Sequence, residues 1–142
     1  LTFPSSYAMN SFFSLLFLIL FTVDQLEACS CVRKDADFTF QRAAYVSRVL
    51  IEKVEKIIDD GHVHEMVYTV KHLDVYKSPD NKQNLPTQVR TAGDQGRCGV
   101  NLNKGQEIVI AGTSRPSYLQ IDLCTHGIIG RADAERLMTI NS

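Results

Sequence analysis

No Asn-x-Ser/Thr sequon occurs in the 142 residues, so N-linked glycosylation is not expected. Charge of one sign is not in excess either: 15 Lys and Arg stand against 16 Asp and Glu, a formal net charge of −1. With no basic stripe, neither nucleic-acid binding nor steering to an acidic membrane is advertised. No repeat, low-complexity tract or linker divides the chain, and its length holds one domain and little more. Long hydrophobic runs are lacking as well. The most apolar stretch, residues 12–23, is too short to cross a bilayer comfortably, so no membrane span is expected.

That run is followed by polar residues and Leu26-Glu27-Ala28, which reads as a signal-peptide core with a cleavage site after small Ala28. Residues 1–28 are therefore predicted to be a removable signal peptide, with Met9 as a start and residues 1–8 as an upstream artefact or alternative start. Residues 29–142 form the mature domain. Every Lys and Arg lies in it, together with 14 acidic residues, so it is nearly neutral. Export predicts a secreted protein of the extracellular space or matrix.

Cysteine is scarce, at four residues, but the count is even: Cys29, Cys31, Cys98 and Cys124. In an oxidising compartment such a set reads as a disulfide framework. Joining Cys29 to Cys31 would close a strained ring, which directs each towards Cys98 or Cys124 and leaves the pairing between them open. Closing a loop of that length contributes on the order of 4 kcal/mol.

Residues 45–58 are rich in Val, Ile and Leu with interleaved polar residues and end at Asp59-Asp60-Gly61, which predicts a long strand entering a hairpin. Residues 66–75 suit a returning strand, broken at Ser78-Pro79-Asp80-Asn81, with Leu85-Pro86 keeping the next stretch irregular. Residues 88–91, 107–111 and the alternation Leu119, Ile121, Leu123 predict three more strands. Residues 131–138, with Asp133 near their start, predict a terminal helix. Five strands with one or two flanking helices imply a mainly β fold, a small closed or partly open barrel stapled by disulfides. Phe38, Phe40, Tyr45, Tyr68, Tyr76 and Tyr118 are expected in its core and rim.

Cys29-Ser30-Cys31 carries the chemistry. Residues two apart on an extended chain point to one side, so two bridges can pin this segment rigidly. After cleavage at Ala28, the α-amine and carbonyl of Cys29 would form a bidentate donor. An α-amine with a reference pKa of about 8 loses its proton readily on meeting Zn²⁺, and a catalytic zinc keeps a position open for such a donor. Other constellations are weaker. His62, His64 and His72 invite a zinc reading, but a solvated hairpin tip is expected. The acids Asp59-Asp60 and Asp133/Glu135 suit a turn and a helix start, and Ser30, Ser47 and Ser114 lack a pattern that would make a nucleophile.

Cys29-Ser30-Cys31-Val32 after a signal sequence resembles the mature start of the tissue inhibitors of metalloproteinases. Phe40 with Tyr45-Val46-Ser47-Arg48, Arg97-Cys98-Gly99, Ile108-Val109-Ile110-Ala111-Gly112 and Cys124 are similar, in order and spacing, to later parts of that family's amino-terminal domain. The resemblance implies a netrin-like barrel of oligonucleotide-binding topology and bridges Cys29–Cys98 and Cys31–Cys124. It also implies that Cys29 chelates the target's zinc, Ser30 enters the specificity pocket, Cys31 and Val32 continue along the cleft, and Gly96, Arg97 and Cys98 lie beside them. The family's third cysteine pair is missing, with Gln41 where its first partner is expected; Arg33 and Lys34 replace the prolines of vertebrate members.

The expectation is a monomeric, secreted inhibitor of zinc metalloendopeptidases of matrix, disintegrin-type or astacin-like kind. It is not an enzyme, and it needs no cofactor beyond contact with zinc held by its target. The alternative is a netrin-like extracellular binding module that shares the barrel without inhibiting a protease.

Overall fold

A computed structural model describes residues 29, 31–32, 34–82, 84–93, 97–124 and 127–142. The predicted signal segment, residues 1–28, and the site residues Ser30 and Gly96 lie outside the described residues.

Helix α1 (Ala36–Arg42) starts where the Asp35 carboxylate accepts a hydrogen bond from the backbone N–H of Phe38 at 2.7 Å, which satisfies a donor the helix cannot use internally. It ends as Ala43 turns extended. The chain then runs through β1 (Tyr45–Asp59), β2 (His62–Lys77), a short 3-10 turn (Pro79–Asn81), β3 (Gln88–Ala92), β4 (Glu107–Ser114), β5 (Leu119–Gln120), β6 (Gly127–Ile129) and α2 (Arg131–Ile140).

The β1–β2 connection is a two-residue turn, with Asp60 at φ +47° and Gly61 at φ +76°. Positive φ at both central positions matches the right-handed twist of the flanking strands, which is why Asp-Gly is found there. The two strands pair antiparallel along their whole length, with register shifts at four places. Such bulges bend a strand and increase its twist. Only residues 45–50 of β1 also pair with β4. The first seven residues of β1 are largely buried and the rest mostly exposed, so the far end of the hairpin is an arm reaching past the barrel.

The sheet order is β1-β2-β3-β5-β4, closed by pairing of β1 with β4, and β6 adds to the outer edge of β4. Five strands thus form a ring, a closed barrel of the predicted mainly β, netrin-like kind. At Gly112 a Cβ atom would strike the Gln120 carbonyl, so the close approach of β4 to β5 depends on glycine.

Alternation along the strands divides the core in two. Tyr45, Val49, Ile51, Tyr68, Val89, Ile110 and Leu119 fill the barrel, joined by Leu85, Val100 and Leu102 from loops. Val46, Val109, Ala111 and Ile129 face outward and are covered by Phe40 and Ala43 at α1 and by Ala134 and Leu137 of α2. Strand β4 is therefore apolar on both faces, which explains its unbroken run. The Tyr68 hydroxyl donates to the Val100 carbonyl at 2.7 Å and accepts from the Leu102 N–H at 3.1 Å, fixing the 97–106 loop inside the barrel end. The Tyr45 hydroxyl is buried with no hydrogen-bond partner among the described residues.

Gln41 is exposed at the end of α1. The helix is held to the body by packing, by the Lys77 ammonium donating to the carbonyls of Phe40 at 2.9 Å and Gln41 at 3.0 Å, and by an Arg136–Asp37 ion pair. Burial pushes the Lys77 ammonium below the usual lysine range. The His72 ring bridges the Ser47 hydroxyl at 2.8 Å and the Pro86 carbonyl at 2.9 Å. It ties β2 both to β1 and to the segment before β3.

Candidate functional site

Three chain segments converge at one edge of the barrel. Cys29 is bonded to Cys98 and Cys31 to Cys124, with Cα–Cα distances of 5.3 and 5.0 Å. The four sulfurs lie within 4.8 Å of one another and are partly buried. The Leu123 N–H donates to the Cys98 carbonyl at 3.0 Å, and the Cys124 N–H donates to the Asp122 carboxylate at 2.9 Å. Residues 29, 31, 98 and 122–124 are thus joined by two disulfides and by hydrogen bonds between and within the 98 and 122–124 segments.

The loop carrying Cys98 is positioned from the hairpin side. Gly93 donates its N–H to the His64 carbonyl at 3.0 Å, and a Cβ at Gly93 would collide with the Val63 carbonyl. The Arg97 guanidinium donates to the same two carbonyls, at 3.4 Å to Val63 and 3.0 Å to His64. Its side chain is therefore engaged with the hairpin. Cys98 itself has φ +63°, a left-handed conformation that costs a non-glycine residue roughly 1 kcal/mol or more. The bridge to Cys29 and the Leu123 hydrogen bond hold it there.

Next to the bridges the apolar side chains of Val32 and Leu123 stand in solvent, 84% and 47% exposed. Leu123 corrects an expectation. Alternation with Leu119 and Ile121 predicted a strand reaching the cysteine, but β5 ends at Gln120 and the chain turns, so Leu119 and Ile121 are buried while Leu123 is not. Its role at this edge was not legible in the sequence, because the strand's end is set by pairing.

The remaining candidates fall elsewhere. His62 and His64 are exposed near the hairpin tip, and His72 is occupied by Ser47 and Pro86. Among the described residues the four cysteine sulfurs form one close cluster, and all four are engaged in the two disulfides. Asp133 and Glu135 pair with Arg136 and Arg131. Ser47 is fully buried, out of reach of a substrate.

A family model described as "Tissue inhibitor of metalloproteinase" matches residues 27–128. The chain belongs to the tissue inhibitor of metalloproteinase family. The match takes in both bridges, the hairpin and all six strands up to Ile128 within β6. The family is one of inhibitors and not of enzymes. A Caenorhabditis elegans protein named "Putative metalloproteinase inhibitor tag-225" is 31% identical over 104 residues, which covers 68% of this chain and 66% of the relative. The chain thus spans just under two thirds of the length of the curated relative it matches. Among the described residues no helix is long and apolar enough to cross a membrane.

Proposed function

We propose that this protein inhibits zinc metalloendopeptidases by presenting the free α-amine and carbonyl of Cys29 to the catalytic zinc of the target. The observation that carries the reading is the double anchorage of the terminal segment. Cys29 and Cys31 are bonded to two different parts of the barrel edge, so the segment is ordered before any protease arrives. Its conformational entropy cost is met in folding and is not charged to binding. Val32 projects beyond it as an apolar side chain with no cover. Family membership and the name of the curated relative agree with metalloproteinase inhibition.

In this reading a bidentate amine and carbonyl displace the water that a catalytic zinc keeps in its open position, and the amine gives up its proton as the metal binds. Cys31 and Val32 follow along the cleft like substrate residues. Ser30 enters the specificity pocket, with Gly96, Arg97 and Cys98 alongside. The site of action is extracellular, and the targets are of matrix, disintegrin-type or astacin-like kind. Chelation needs an amine at Cys29, the state that removal of residues 1–28 creates.

The test is titration of one matrix metalloproteinase with the secreted product, after its first residue has been established by sequencing. A product starting at Cys29 should inhibit stoichiometrically. The same product with its Cys29 amine acetylated should lose inhibition while its circular dichroism is unchanged. Undiminished inhibition after acetylation would refute chelation.

A further inference from the structure

The hairpin arm carries an open strand edge. On the side away from β2, strand β1 is covered by β4 over residues 45–50, and its last backbone bonds there join Ile51 to the Gln106 carbonyl and the Gly105 N–H. Among the described residues no strand or backbone hydrogen bond caps residues 52–59 on that side. In an antiparallel ladder the backbone groups of successive residues turn to opposite edges. In β2 the Val70 N–H donates to the Thr87 carbonyl and the His64 carbonyl accepts from Gly93, so even-numbered residues there serve β3 and odd-numbered ones serve β1. Glu65, Val67 and Thr69 stand opposite Ile57, Glu55 and Lys53, whose backbone groups are thereby used. Those of Val54 and Lys56 face the open side, a template for another strand.

The charges along this edge select the strand that fits it. Residues 52–56 read Glu-Lys-Val-Glu-Lys, a pattern whose signs invert when it is read backwards. Two copies laid antiparallel about a two-fold axis at Val54 therefore set Lys53 against Glu55 on both sides of the axis, Glu52 against Lys56, and Val54 against itself. Moving the axis by one residue sets Lys53 or Glu55 against its own copy, and like charges directly opposite are destabilising. Lys53 and Glu55 already pair within the strand at 2.8 Å, with side chains 62% and 47% exposed. Facing copies complete a ring of four alternating charges. Beyond the five paired residues, Ile57 and Ile58, 42% and 62% exposed, come against the other copy's turn at residues 103–106, which gives them cover.

We propose that this protein self-associates as a two-fold dimer in which residues 52–56 of β1 from two copies pair antiparallel, in place of the expected monomer. The Gly93 and Arg97 contacts lie on the opposite, β2 edge of the arm. The paired edge is thus not the one beside Cys98, and the dimer stands or falls apart from the inhibitory reading. An interface this small belongs with weak, concentration-dependent associations.

The experiment is sedimentation velocity on the disulfide-bonded protein from micromolar to millimolar concentration, with amide hydrogen exchange over the same range. The expected result is a shift from the mass of one chain to that of two. The Val54 and Lys56 amides should gain protection as the dimer forms, while those of Lys53 and Glu55, already bonded to β2, change little. Lys53→Glu combined with Lys56→Glu makes the edge wholly acidic, and Glu52→Lys combined with Glu55→Lys makes it wholly basic. Each double variant alone should stay monomeric with the circular dichroism of the parent, and an equimolar mixture of the two should dimerise. If either variant fails to fold, hydrogen exchange on the parent decides. A one-chain mass at every concentration, which leaves the edge to some other protein's strand, overturns the proposal. So does a dimer whose Val54 and Lys56 amides stay unprotected, a folded double variant that still dimerises alone, or a mixture of folded variants that remains monomeric.

Discussion

Removing one bridge should cost the same whichever is removed, although the two close loops of different length. Cys29–Cys98 spans 69 residues and Cys31–Cys124 spans 93. Taken alone, loop-closure entropy assigns them about 4.4 and about 4.7 kcal/mol. The bridges interleave along the sequence, however. With either one closed, the other closes only a ring of about 28 residues, made of the two-residue step from Cys29 to Cys31 and the 26-residue step from Cys98 to Cys124. A ring of that size is worth about 3.6 kcal/mol. The pairs Cys29→Ser/Cys98→Ser and Cys31→Ser/Cys124→Ser should therefore each lower stability by about 3.6 kcal/mol, a fall in Tm of roughly 15 °C for a domain of this size. Replacing all four cysteines should cost about 8 kcal/mol, more than twice the single loss. Urea unfolding of the three variants beside the oxidised parent measures this. A difference between the two paired variants above about 1 kcal/mol, or strict additivity in the fourfold variant, would refute the shared-ring reasoning.

The two barrel tyrosines should respond oppositely to loss of their hydroxyls. Tyr68→Phe strips partners from the Val100 carbonyl and Leu102 N–H and should cost about 1–3 kcal/mol, whereas Tyr45→Phe removes a buried hydroxyl without a partner among the described residues and should be neutral or stabilising; a large loss for Tyr45→Phe in urea unfolding would contradict this. Burial raises the pKa of both phenols, so their contribution is fully present below the unfolded value of about 10 and is lost as pH rises towards the folded values, with up to about 1.4 kcal/mol per pH unit for each group. Urea midpoints at alkaline pH should fall accordingly, and Tyr45→Phe should flatten the decline. Asp35→Ala removes the α1 cap and should cost about 1 kcal/mol, read as a shift in Tm; no shift would mean the cap is not stabilising the helix.

Much of the barrel was legible in advance because its strands obey simple periodicities. The Asp59-Asp60-Gly61 turn, the apolar run of β4 and the helix expected over residues 131–138 follow from local chemistry, and so does a mainly β fold. Helix α1 escaped notice, since Phe38, Thr39 and Phe40 favour strands and only the Asp35 cap and the packing of Phe40 and Ala43 decide otherwise. Strand β6 is three residues long and exists only because β4 offers it an edge. The Cys-x-Cys spacing gave the candidate site its chemistry, and local sequence alone left the partners of its cysteines open. The nearness of all four sulfurs, the turning outward of Leu123 and the engagement of Arg97 with the hairpin carbonyls were decided by the tertiary structure. They depend on how segments almost a hundred residues apart meet at one barrel edge, and no local pattern encodes a distance of that kind.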